Sequence, residues 1–305
     1  MERMQSIKCS FLQWICVSMK KLIIVLLLLT PFVTANGFTD EEFKKHVEIL
    51  KQKLPGKEFT IVVQKPFVVV GDLPANVLRD RWARGTVRWA SSKLKAAYFS
   101  RDPDHILDVW LFKDKESYEK YTEKLWGKVP STPYGYYSSS QKALVMNIGT
   151  GGGTLVHEIV HPFMEANFPD CPPWFNEGMG SLYEQSSDKN GEIWGLTNWR
   201  LAGLKAAIRL GKMPSFKKLM AMNDEKFYGE QSGRGYSDNY AQSRYLLYYL
   251  QEKKLLRKYY QDFIANQEAD PSGYNTLKQV LGENGMKGFQ KQWETYALNL
   301  QYPEK

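Results

Sequence analysis

No strand-like pattern follows Trp174 in this 305-residue chain, whereas the segment before it alternates strands with helices, and that asymmetry limits the fold more than any other feature. Phe59–Val63, Phe67–Val70, Ile106–Phe112 and Ala143–Ile148 are short β-branched and aromatic runs bounded by turn residues, the pattern of buried strands. Between them Thr39–Leu54, Leu73–Phe99 and Lys113–Trp126 carry apolar residues at helical spacing, the first opened by the cap-like Thr39-Asp40-Glu41-Glu42. A Pro/Tyr/Gly/Ser stretch over 130–140 reads as loop. Beyond it, helices are expected at Trp174–Gln185, Trp199–Leu210, Phe216–Met222, Tyr240–Lys254, Leu256–Gln267, Tyr274–Leu281 and Met286–Leu298. No period repeats among them, which excludes a solenoid. The expected class is α+β, with a mixed α/β lobe over 36–165 and an all-α lobe over 166–305.

Residues 1–35 stand apart. Met19-Lys20-Lys21, the apolar run Leu22–Leu29 and the end Thr34-Ala35 form a secretory signal pattern, with cleavage expected after Ala35 and Met19 as an alternative start. The apolar run is shorter than the roughly 20 residues of a membrane span, so no stable span is expected after cleavage, and the chain reads as secreted or periplasmic. Loss of Arg3, Lys8, Lys20, Lys21 and Glu2 takes the net charge from +8 to +5. Without a dense Lys/Arg block, that mild excess argues against nucleic acid as a partner. Cys9 and Cys16 leave with the leader. Cys171 then has no disulfide partner, and the fold must rest on its core.

His157-Glu158-Ile159-Val160-His161 carries the chemistry. Residues four apart on a helix lie one above the other, so both imidazoles can face one metal ion. Glu158 between them can then act as general base on a water. The preceding Gly149, Gly151, Gly152 and Gly153 allow a sharp strand-to-helix turn and lack the Gly-Lys-Ser/Thr ending of a phosphate loop. A catalytic zinc site needs a third protein ligand and one open position. The candidates are Glu165, Asp170, Cys171, Glu177, His46 and His105. Glu177 is favoured, because Trp174, Phe175 and Met179 pack its helix and a rigid carboxylate suits a ligand. Pro162, just after the second histidine, is expected to bend or end the metal helix.

The pair of motifs, His157–His161 and then the glutamate of Trp174-Phe175-Asn176-Glu177-Gly178 sixteen residues after His161, resembles the gluzincin metallopeptidases, closest to the peptidase MA-like families. Met164 and Asn167 stand where the metzincins need glycine and a further ligand, which excludes that alternative. The resemblance covers about residues 140–250. It implies a zincin-like fold with the active-site cleft between two lobes, one Zn²⁺ held by His157, His161 and Glu177, and Glu158 activating water. Gly180 stands where such families commonly have alanine, a change expected to matter little.

The Tyr240-Ala241-Gln242-Ser243 run also resembles a helix of these families, which makes Tyr240 a candidate oxyanion stabiliser. A buried core tyrosine is the equal alternative, with Tyr236 and Arg244 as lesser candidates. The strand Ala143–Ile148 is expected to be a sheet edge on which an extended peptide substrate pairs. Trp174, Trp194 and Trp199 read as subsite walls or, more commonly, as core. The expected function is a secreted zinc metallopeptidase acting on peptide or protein substrates. A zinc amidase on other amide bonds and a non-catalytic zinc-bound binding module are the alternatives, and the oligomeric state is not legible.

Overall fold

The structure, a computed structural model, describes residues 37–229, 238–282 and 285–302. The expected leader and its cleavage point, and the candidate Tyr236, lie outside the described residues. Helix α1 (Asp40–Lys53) opens with the expected capping box, in which Thr39 and Glu42 exchange side-chain and backbone hydrogen bonds. Five strands follow in one sheet: β1 (Thr60–Gln64), β2 (Phe67–Gly71), β3 (Leu107–Phe112), β4 (Gly135–Ser138) and β5 (Ala143–Asn147). Their spatial order is β1-β2-β3-β5-β4. The inner pairs β2/β3 and β3/β5 are parallel, and the outer pairs β1/β2 and β4/β5 are antiparallel. Buried on both faces, β2 and β5 read as unbroken apolar runs rather than alternating ones.

Alternation nonetheless divides the two faces of the sheet. Val68, Val70, Trp110, Phe112 and Val145 pack with Phe43 and Leu50 of α1 and with Tyr118 and Tyr121 of α3 (Lys115–Trp126). Phe67, Val69, Val109, Leu111, Leu144 and Met146 face the other way, into a larger cluster. That cluster includes the connection between β2 and β3, which the sequence presents as one long helix. It is wound in wide π-type turns over Val77–Arg88 and becomes the ordinary helix α2 only at Trp89–Ala97. Thr86 Oγ1 donates to the carbonyl of Arg81, five residues back, within the wide turns.

Helix α4 (Gly153–Asn167) carries the His157–His161 motif and does not end at Pro162 but continues past it. The expected break is overridden by packing. Ile159, Val160, Phe163 and Met164 are all buried, each contributing roughly 1.5–3 kcal/mol, against the roughly 3 kcal/mol an interior proline costs. The expected edge strand is also corrected: β5 is covered by β4, which forms the edge and falls in the stretch read as loop.

Beyond α4 come α5 (Pro173–Tyr183), α6 (Arg200–Arg209), α7 (Phe216–Met220), α8 (Asp224–Gly229), α9 (Asp238–Glu252), α10 (Leu256–Ala265), α11 (Tyr274–Leu281) and α12 (Met286–Asn299). The segment is not purely helical. A hairpin of β6 (Ser186–Lys189) and β7 (Glu192–Gly195) interrupts it, turning at Asn190-Gly191, both with positive φ. The larger apolar cluster continues from the sheet through α4 into α5, α9, α10 and α12, and residues from Gly37 onward form one compact unit. Among the described residues no helix is long and apolar enough to cross a membrane.

Candidate metal centre

Two close backbone approaches build the site. A Cβ on Gly153 would lie 2.4 Å from the carbonyl oxygen of Glu184, so glycine lets the first turn of α4 abut the end of α5. A Cβ on Gly180 would lie 2.9 Å from the His157 ring, so glycine lets α5 pass directly over the imidazole. The change at Gly180, expected to matter little, meets this contact: a methyl group there would require the ring or the helix to shift. Together the two glycines set Glu177 and Glu184, two helical turns apart, on either side of His157.

His157, Glu158 and His161 bring ligand atoms within 4.8 Å of one another, a group that could hold a metal ion. His157 Nε2 lies 3.1 Å from Glu177 Oε2, and its Nδ1 lies 3.1 Å from Glu184 Oε1. His161 Nδ1 lies 3.0 Å from Asn176 Oδ1, and its Nε2 is 3.8 Å from Glu158 Oε2. The second oxygen of Glu177 accepts from the Tyr228 hydroxyl at 2.8 Å. Glu184 is gripped by Arg200, whose Nη2 and Nε donate at 2.7 and 3.0 Å. Each imidazole thus has Nδ1 on an acceptor, which fixes the Nδ1–H tautomer and leaves the Nε2 lone pair for a cation.

In the metal-free chain, a proton supplies that cation at His157. Burial works against the charge, but the bonds to Glu177 and Glu184 and the charge of Glu158 outweigh it and raise the His157 pKa to about 10. Burial likewise disfavours a charged Glu177, yet the facing His161 and His157 and the Tyr228 bond bring its pKa down to about 2. Glu184 is also lowered to about 2, with His157 and Arg200 outweighing its burial. A carboxylate and an imidazole nitrogen pressed together in this way, with a cation required between them, suit a metal site by the chemistry of the donors alone.

The group opens on a cleft of about 550 Å³. Edge strand β4 forms one wall, where the Tyr137 backbone N–H donates to Glu158 Oε2 at 2.9 Å. Tyr228 and Tyr240 also line the cleft. Tyr240 is half-buried, with its ring 5.3 Å from that of Phe227 and the Arg200 guanidinium 5.4 Å from its centroid.

The other candidates separate clearly. Glu165 lines the cleft, but its Oε2 accepts from the Tyr137 hydroxyl at 2.6 Å. Cys171 also lines it, and burial raises its thiol pKa well above the usual value, which favours the neutral thiol that donates to the Pro172 carbonyl. Asp170 and His105 are exposed and line no part of the cleft. His46 bonds Asp108 of β3 at 2.7 Å. Arg244 is structural: fully buried, it donates to the carbonyls of Ser181, Leu182 and Leu196. Trp174 is buried with its Nε1 on Ser272 O, and Trp194 bonds Glu252. Trp199 is exposed, and none of the three tryptophans lines the cleft.

Four residues at the site carry no role in the sequence reading: Tyr137, Asn176, Glu184 and Tyr228. Glu184 had a signal, being seven residues from Glu177 and so on the same helical face. The partners Tyr137 and Tyr228 come from elements distant in sequence and had none. Compared with protein-family models and with curated protein sequences, the chain matches none.

Proposed function

We propose that the chain is an exported zinc-dependent peptidase of the gluzincin kind, with His157, His161 and Glu177 as zinc ligands and Glu158 as general base. The observation that carries this reading is the pair of Nδ1-tethered imidazoles whose Nε2 atoms face carboxylates inside a cleft. Two nitrogens and one oxygen with room for a fourth partner are the donor set of a catalytic zinc. When bound, zinc supplies a Lewis acid that polarises a carbonyl and makes water acidic near neutral pH.

The chain's own residues account for the rest. Glu158 accepts a proton from the attacking water and passes it to the leaving amine, after giving up its bond to the Tyr137 N–H. An extended peptide pairs with the outward edge of β4, a form of strand addition, and lies along α4. Tyr240, which lines the same cleft, donates to the developing oxyanion, while the Tyr228 hydroxyl stays on Glu177. The zincin-like division into two lobes is part of this reading. It is supported by the apolar cluster that α4 shares with the sheet and with the helical segment, and by a cleft lined both by β4 and by Tyr228 and Tyr240.

Metal analysis and mass-spectrometric peptide cleavage test the proposal together. The native chain is expected to bind about one zinc and to cleave peptides. Glu177→Ala should lose metal and turnover together, whereas Glu158→Gln should keep the metal and lose turnover by at least about 100-fold. Full zinc occupancy in Glu177→Ala would remove Glu177 from the ligand set.

A further inference from the structure

The chain as a whole is basic, at net +8, yet among the described residues lining the cleft there is no lysine or arginine. The cleft's ionisable groups are two histidines, the cysteine, tyrosines and the carboxylates of Glu158, Glu165 and Glu177. On the proposed reading, two of those carboxylates are occupied, one with the metal and one with the proton transfer. Glu165 is left over. It lies two helical turns beyond Glu158 on the same face of α4, about 10 Å along the axis. The Tyr137 hydroxyl, donating to one of its oxygens at 2.6 Å, holds it in place at the edge strand. Met164 and Phe168, which also border the cleft, are buried, so Glu165 is the polar group that this stretch of α4 offers to a ligand.

We infer that Glu165 is a specificity-determining residue and that the cleft takes peptides carrying a cationic side chain, lysine or arginine, within about three residues of the cleaved bond. This rests on the peptidase reading of the same cleft. The span follows from the spacing, since an extended chain advances about 3.3 Å per residue. The long flexible stem of lysine or arginine lets the charged end reach Glu165 from an interior position of the peptide, which a free α-amine cannot do.

The test scans lysine, arginine, norleucine and glutamate through each position of an N-acetylated peptide, with one series left unacetylated. kcat/KM is measured for the native chain and for Glu165→Gln and Glu165→Lys. Equilibrium binding of the same peptides is measured on the zinc-loaded Glu158→Gln chain, which keeps the cleft without turnover. Lysine should exceed norleucine by about tenfold at one position in both assays. Glu165→Gln should level that ratio, and Glu165→Lys should reverse it in favour of glutamate. Equal ratios in the native chain, or a lysine preference that survives Glu165→Gln, would overturn the inference. A preference seen only with a free amino terminus would overturn the side-chain assignment. Should no peptide be cleaved while the acetylated lysine peptide still binds with its Glu165-dependent preference, the recognition stands and the peptidase reading falls.

Discussion

On the proposed reading, a proton and a divalent ion compete for one place between His157 and Glu177. In the metal-free chain His157 holds its proton up to about pH 10. Metal uptake must therefore release that proton, and apparent zinc affinity should rise about tenfold per pH unit from neutrality to about pH 9, as read by competition with a chelator in buffers of stepped pH. Stability of the metal-free chain follows the same groups with opposite signs. The raised His157 contributes stability that is fully present below about 6.5 and lost as pH rises through about 10. The lowered Glu177 contributes stability present above about 4.5 and lost as pH falls through about 2. Denaturant midpoints of metal-free protein should thus fall on both the acid and the alkaline side. Among the cleft tyrosines, if a hydroxyl serves the oxyanion, its removal lowers kcat on the order of 100-fold with KM and metal content kept. Tyr240→Phe is expected to do this. Tyr228→Phe should instead weaken zinc binding, because its hydroxyl steadies Glu177. The opposite pattern in the two variants would exchange the roles. The sequence could name His157, Glu158, His161 and Glu177 because their spacing is local to two helices. It could not name Tyr137 or Tyr228, whose contacts depend on how β4 and α8 are brought across the cleft.

Helix against helix, the decisive contact is α5 over α4 at Gly180. Alanine there gains up to about 1 kcal/mol in helix propensity but presses a methyl group into the His157 ring. Gly180→Ala is expected to lower zinc affinity about tenfold and to destabilise the chain by roughly 1–3 kcal/mol, measured by chelator competition and thermal melts. Most of the other elements were legible for local reasons, such as the Thr39 box of α1 and the apolar runs of β2, β3 and β5. Three were not. The π-type turns over Val77–Arg88 preserve a helix-like apolar spacing, so periodicity alone reads them as one ordinary helix. Strand β4 has four residues beside prolines and serines, and it exists because β5 offers it a ladder. The β6–β7 hairpin did have a signal in Asn190-Gly191, the dipeptide suited to a turn with two positive φ values, which the surrounding helical patterns masked.

At the scale of the molecule, the two halves that the sequence separates share one apolar cluster, and α4 lies inside it. Neither half can lose its packing while the other keeps α4 in place. Calorimetry should therefore show a single transition, which moves upward with zinc and downward with chelator by amounts set by RT ln(1 + [Zn]/Kd). Two resolved transitions would mean that the halves melt separately. The shared helix also gives the candidate ligands a second use. His157 and His161 sit on the helix that joins the sheet layer to the helical segment, yet they also face the open cleft. On the proposed reading an ion held there leaves through the cleft, so its transfer to a coloured chelator should run ahead of global unfolding, and the gap between the two rates reports how readily the native cleft lets it go.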